Sequence, residues 1–206
     1  DIKDFRKMLD DNKLKAPSLH TDLDTLANNM GALAEGAHTM GSKYVVLPAI
    51  PDDKRKTLDD YKRKAEEFNA AGAICRKHGI RFAYHNHGYT FTKQEGQYPI
   101  DILMKYSDPA LVDFEMDLYW ITNAGQDPLA YFKKYPGRFR LAHVKDSGGA
   151  PQHEMRDVGA GVINWTAIFR ESKQAGFQHF IVEHDQPKDV FASISASYRY
   201  LSTLEF

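Results

Sequence analysis

Two textures alternate along the chain. Short apolar runs, often β-branched, cover residues 15–20, 44–50, 80–87, 111–120, 139–146 and 178–185. Longer stretches of helical period lie between them. Leu23, Leu26, Met30, Leu33, Ala37 and Met40 recur at steps of three and four, as do Tyr61, Ala65, Phe68, Gly72 and Cys75. That spacing puts apolar side chains on one face of a helix, which packs against something flat. The opening "DIKDFRKMLDDNKLK" also reads as helix. Punctuation supports the boundaries. Gly79 ends one helix, Asp127-Pro128 opens another, Asn164 is placed to cap a helix starting at Trp165, and Gly176 ends it.

Six strand–helix alternations predict an α/β chain with parallel strands joined by right-handed crossovers. No linker or shift of composition splits it, so 1–206 is expected to be a single (β/α)-barrel domain. The competing doubly wound sheet would place a glycine-rich phosphate loop after an early strand, and none is present. "GAGVIN" comes late and follows no strand.

In a (β/α) barrel the chemistry gathers at the C-terminal ends of several strands, and side chains two apart on a strand face the same way. The first run ends at Ser18–His20 and the third in His85 and His87. The fourth carries Glu115 and Asp117, the fifth His143 and Lys145, the sixth Glu183 and Asp185. The second ends in Pro48 and Ile50, which suit a wall. Burying so many ionisable groups at one end would cost several kcal/mol per unpaired ion, a cost that a divalent cation offsets. One ligand from each of four strands gives His85, Asp117, His143 and Glu183, with Glu115 the rival to Asp117 and His87 the rival to His85. Two imidazoles and two carboxylates suit one divalent ion such as Mn, Co, Zn or Mg.

Charge and composition narrow the classes. The net charge of −1 leaves no electrostatic footprint for nucleic acid. The basic stretch "DDKRKTLDDYKRK" is interrupted by acids and reads as a solvated helix face. No apolar run approaches the roughly 18 residues of a membrane span, so no membrane partner is expected. Cys75 is the single cysteine, which excludes an internal disulfide and, in its apolar stripe, reads as a buried structural thiol. The chain starts at Asp1 without a methionine, so a removed leader would leave no trace and no compartment is assigned.

Several stretches are familiar. "YHNHGYTF", "FEMDLYW…AGQDPLAYFKKYPGRFRLAHVKD", "DVGAGVINW" and "IVEHD…SYRYL" resemble the sugar phosphate isomerase/epimerase family of xylose-isomerase-like TIM barrels, from about Leu14 to Leu201. The resemblance implies a TIM-type barrel and one divalent metal held by Glu, Asp, His and Glu from four strands. Asp117, His143 and Glu183 match the last three. His85 stands where many members have a glutamate, which in ketose epimerases is both a ligand and one of two proton-transferring bases. Trp120 replaces a histidine common in related epimerases, and Ala160 replaces a Glu or Lys. "HVKD" also resembles the strand end of inosose dehydratases, which remove water from a keto-polyol. A complete barrel runs to about 250 residues, and this chain reads as six strands without the first strand–helix–strand unit. A recorded sequence that starts after that unit is the leading expectation; an open sheet that covers its edge with another chain is the alternative.

The function expected is a metal-dependent isomerase or epimerase of a sugar or keto-sugar, acting by proton abstraction beside a metal-polarised carbonyl. A keto-polyol dehydratase or lyase is second, and a non-catalytic sugar-binding barrel is the alternative of another class. Glu183 is the expected base, with His143 as its substitute, and Lys145 stabilises the enediolate or passes a proton to the leaving hydroxyl. His20, His87, Trp120 and Asp185 are expected to contact the sugar. The partners expected are a small carbohydrate, free rather than phosphorylated because no basic cluster marks a strand end, and a second copy of the chain as a homo-oligomer.

Overall fold

The computed structural model describes residues 1–206. All six expected strands are present, each shorter than its apolar run: β1 (Ser18–His20), β2 (Tyr44–Leu47), β3 (Arg81–His85), β4 (Val112–Asp117), β5 (Phe139–Val144) and β8 (His179–Val182). They are parallel and follow one another in the main sheet in the order β1-β2-β3-β4-β5-β8. A two-stranded ladder, β6 (Asp146–Ser147) with β7 (Met155–Arg156), is antiparallel. Two-residue strands carry no periodicity, and the sequence gives no sign of them.

The chain divides into two compact units. The first holds Asp1–His85 and Lys93–Phe114. Its helices are α1 (Ile2–Asp11), α2 (Leu23–Asn28), α3 (Met30–Met40), α4 (Leu58–Lys77) and α5 (Pro99–Tyr106). The periodic run from Leu23 to Met40 is thus two helices. Asp22 caps α2 through the N–H of Thr25, and the chain leaves helical geometry at Asn29, with φ −133° and ψ 17°. Thr57 and Asp60 form a reciprocal capping box at the start of α4. The face predicted for α4 is the buried one: Tyr61, Ala65, Phe68, Gly72 and Cys75. Phe68 lies against Phe82 and Tyr84 of β3, with ring centroids 5.3 and 5.2 Å apart. Tyr84 meets Phe114 edge-on at 6.3 Å. Helix-to-strand aromatic packing of this kind fixes the height at which β3 ends.

The second unit holds Asn86–Thr92 and Glu115–Phe206. Its helices are α6 (Leu118–Asn123), α7 (Pro128–Lys134), α8 (Trp165–Arg170), α9 (Ser172–Ala175) and α10 (Val190–Thr203). The fourth run does not stay extended to Trp120: β4 stops at Asp117, whose carboxylate accepts the N–H of Trp120 at 3.0 Å and turns the chain into α6. Asp127 caps α7 and Asn164 caps α8 as expected. Gly176, at φ 94°, ends α9 in the left-handed conformation that glycine adopts without strain.

Candidate active site

The end of β5 carries the centre of the cluster. His143 and Lys145 project to one side, as the strand period requires, and both are buried. Around His143 stand carboxylates from two other strand ends. Its Nε2 lies 3.1 Å from Oε2 of Glu115. Its Nδ1 faces the carboxylate of Glu183 in an ion pair, and Oδ2 of Asp117 at 3.8 Å. The ammonium of Lys145 reaches Asp185 at 2.8 Å, and Asp117 and Glu183 at 3.6 Å each.

Each group is held by its own local structure. Asp117 ends β4 and caps α6 with Oδ1, so only Oδ2 turns toward His143 and Lys145. Asn86 grips the same strand end, its Oδ1 accepting the N–H of Asp117 at 3.1 Å and its Nδ2 donating to the Asp117 carbonyl at 3.2 Å. Glu183 and Asp185 follow β8 directly and are the accessible members, with side chains 38% and 37% exposed, whereas Glu115 and Asp117 are fully buried. Any molecule arriving from solvent meets Glu183 and Asp185 first.

The electrostatics follow from this crowding. Burial alone would lower the pKa of His143, but the carboxylates of Glu115, Glu183 and Asp117 overcome it and push the imidazole up to about 10. The same pairing with His143 outweighs burial at Glu183 and holds its carboxyl well below the usual range. Burial likewise works against the charge on Lys145, and Asp117, Asp185 and Glu183 more than compensate. A cation among carboxylates is therefore the stable arrangement at this strand end.

The other expected residues fall into two groups. In the second unit, His87 lies 5.3 Å from Trp120 and stacks on Tyr89 at 5.8 Å, and Trp120 meets Tyr119 edge-on at 5.0 Å. The Lys145 ammonium stands over the Tyr119 ring, 5.9 Å from its centroid. This aromatic row therefore begins beside the charged cluster. In the first unit, His85 closes β3 and His20 closes β1, with their rings 5.9 Å apart. His85 Nδ1 lies 3.1 Å from the Pro48 carbonyl, which can only accept, so Nδ1 carries the hydrogen of that bond.

Three residues escaped the sequence reading. Asn123 accepts the hydroxyl of Ser147 at 2.6 Å and contacts Nδ1 of His153 at 3.0 Å, and the hydroxyl of Tyr119 donates to the His153 carbonyl at 2.6 Å. Asp146 collects a loop, as described below. Nothing in a pattern of apolar runs marks Asn123 or His153. Asp146 stood next to Lys145 in "HVKD", and "GAGVINW" contained its donors, but neither string alone announces the other.

The family model described as "Xylose isomerase-like TIM barrel" matches residues 1–201. An inosose dehydratase of Bacillus anthracis is 30% identical over 183 residues, 72% of this chain and 59% of that protein. An inosose dehydratase of Lacticaseibacillus casei is 25% identical over 174 residues, 70% of this chain and 58% of its own length. The chain thus spans just under three fifths of the length of these curated relatives. Among solved structures, a sugar phosphate isomerase/epimerase from Parabacteroides distasonis is 28% identical with a TM-score of 0.83, covering 98% of this chain and 77% of the other.

Proposed function

The chain belongs to the xylose isomerase-like TIM barrel family, and on that premise we propose that it is a metal-dependent dehydratase of a β-hydroxy ketone of the keto-polyol or keto-sugar class. The observation that carries this reading is the pairing of an acid with a base: the Lys145 ammonium lies 3.6 Å from the carboxylate of Glu183. Elimination of water needs one group to take a proton and a different group to give one. Epimerisation at a single carbon needs two bases on opposite faces, and by the family resemblance His85 stands where ketose epimerases keep one of them. Relatives of this chain named as inosose dehydratases agree with the choice.

The donor set fits a divalent cation. An imidazole whose nitrogens both face carboxylates offers nitrogen and oxygen donors with an excess of negative charge. Asp117, His143 and Glu183 would hold the ion. When bound, it polarises the ketone oxygen and makes the neighbouring C–H acidic. Glu183 takes that proton, since it is the ligand with an accessible oxygen. Lys145 gives its proton to the hydroxyl on the next carbon. The C–H and C–O bonds break, a C=C bond forms and water leaves. Asp185 holds the ammonium, and His87 and Trp120 contact the polyol.

The test has two parts. Mass spectrometry of protein loaded with Mn, Co, Zn or Mg should find about one ion per chain, lost in Asp117→Ala. An inosose should then lose one water to give a conjugated product followed by its ultraviolet absorbance, and chelator should stop it. A product of unchanged mass would support isomerisation instead. Sugar binding that chelator leaves intact, with no turnover, would support the binding-barrel reading.

A further inference from the structure

Asp146, adjacent to Lys145, takes no part in the charged cluster. It is fully buried, and its oxygens accept from neutral donors. Oδ1 takes the N–H of Ser147 at 2.8 Å and of Ile163 at 3.3 Å. Oδ2 takes the N–H of Gly159 at 2.9 Å, the N–H of Gly161 at 3.2 Å and the indole N–H of Trp165 at 2.9 Å. A buried carboxylate is expensive unless it is hydrogen-bonded on this scale.

The loop is shaped to fit. A Cβ on Gly161 would overlap Oδ1 of Asp146 and the Ser147 carbonyl, so only glycine brings its N–H close enough. The loop's far side is tied to α10: Ser193 donates to the Asp157 carboxylate, the Ser197 hydroxyl accepts the Val158 N–H at 3.0 Å, and the Tyr200 ring fills the place of a Gly159 side chain. Val162 donates to the Ser147 carbonyl at 2.7 Å, and Asp146 and Ser147 pair with Arg156 and Met155. The backbone just past Lys145 is held from several directions, with Asp146 at the junction.

We infer that Asp146 is a positioning residue for Lys145. Its carboxylate ties the loop 157–165 to the end of β5 and so fixes the backbone from which the long lysine side chain reaches Asp117, Glu183 and Asp185. A flexible ammonium needs such an anchor: misplacement of a reacting group by about 1 Å can cost on the order of 10²-fold in rate. Asp146→Asn replaces one acceptor oxygen with an NH2 group facing N–H donors, which loosens one side of the clamp. The kinetic consequence rests on the dehydratase reading; the structural consequence does not.

The experiment compares metal-loaded wild type, Asp146→Asn and Trp165→Phe, which deletes one donor and keeps an aromatic ring. Amine labelling with trinitrobenzenesulfonate, mapped by peptide mass spectrometry, reads the shielding of Lys145, which is 3% exposed. Labelling of Lys145 alone should rise about tenfold or more in Asp146→Asn, the scale of one lost hydrogen bond to a charged group, and less in Trp165→Phe. With an inosose in deuterated water, loss of water should slow by about 10²-fold, while deuterium exchange at the carbon beside the ketone persists and metal content is unchanged. A merely structural role would slow both steps together and raise the labelling of the half-buried Lys64 as well. Wild-type labelling of Lys145 in folded Asp146→Asn overturns the inference; if that variant does not fold, Trp165→Phe decides in the same way. No turnover by wild type sinks the dehydratase reading and leaves the labelling result to stand by itself.

Discussion

Nε2 of His143 stands 3.1 Å from Oε2 of the fully buried Glu115, while Nδ1 of the same ring faces Glu183 and Asp117. The two nitrogens thus have separate partners. On the proposed reading the ion is shared on the Nδ1 side by Asp117 and Glu183, and Glu115, on the Nε2 side, orients the ring. Outer carboxylates of this kind tune metal affinity by about 10–100-fold. Glu115→Gln should therefore keep about one ion per chain but weaken binding by about that factor, read by calorimetry with Zn or Mn. Complete loss of the ion in a folded variant would make Glu115 a ligand.

The same cluster sets a pH dependence for the metal-free protein. The imidazole of His143 is raised from 6.5 to about 10 by Glu115, Glu183 and Asp117 against the opposing effect of burial. A raised folded-state pKa contributes stability that is fully present below the unfolded value and is lost as pH rises through the folded value. Glu183, lowered from 4.5 by the same contact, adds the mirror-image loss on acidification. Urea unfolding of chelator-treated protein should therefore give the highest midpoint between about pH 4.5 and 6.5, declining toward about pH 10. Metal binding should show the opposite alkaline trend and tighten, because a ligating imidazole must first lose its proton. A flat profile in both experiments would mean that the cluster is not assembled in solution.

Lys145→Met keeps the length of the side chain and removes the ammonium. Elimination should slow by about 10²–10⁴-fold, the usual worth of a positioned general acid. KM should change little, because the proposed polyol contacts of His87 and Trp120 are left in place. Ion binding should hold or tighten, since Asp117, Glu183 and Asp185 lose a competing cation. Equal turnover by wild type and variant would remove Lys145 from the mechanism.

The extent to which the sequence revealed all this depended on the kind of signal. Strand positions were most legible where an apolar run buries its residues: Tyr44–Leu47 and Val112–Asp117 are buried throughout, whereas Ser18–His20 and His179–Val182 are only partly covered. Strand ends were less so, because Leu118 and Tyr119 are as buried in α6 as they would be in a strand; what ends β4 is the side-chain cap of Asp117. The charged residues of the cluster were legible as polar pairs at spacing two, and Asp117, His143, Lys145, Glu183 and Asp185 do come together. The different nitrogens that Glu115 and Asp117 face were not, since both lie on the same side of one strand and only the ring of His143 separates them. Asp146 and its glycines were hidden for a related reason: a carboxylate and its backbone donors, 13 to 17 residues away, leave no periodic trace.

Cys75 offers a check on the core that does not involve the site. It lies on the inner face of α4 with no exposed surface, and burial raises its thiol to about 12. A thiol reacts through its thiolate, so the native protein should be inert to a disulfide reagent near neutral pH and become fully reactive in guanidinium. Rapid labelling of the native protein would place α4 away from β3.

Two glycines on helices should respond to alanine in opposite directions. In isolation alanine is the better helix former by about 1 kcal/mol, so the neighbours decide the sign. At Gly31 in α3 nothing lies within 4 Å of a built Cβ, and Gly31→Ala should stabilise by about 0.4–1 kcal/mol. At Gly72 in α4 the Cβ would stand 2.5 Å from the carbonyl oxygen of Leu111 and 2.9 Å from its carbon. Those atoms are backbone at the entry to β4, where the N–H of Leu111 is bonded to Asp108, and they cannot swing aside as a side chain would. Overpacking of this kind costs about 1–3 kcal/mol, enough to cancel the helix gain and reverse it. Thermal unfolding should therefore move up by about 1–4 °C for Gly31→Ala and down by a comparable or larger amount for Gly72→Ala, at roughly 2–4 °C per kcal/mol for a domain of this size. A rise in both would mean that α4 does not approach the start of β4 closely, and the packing that sets the height of β3 and β4 would have to be redrawn.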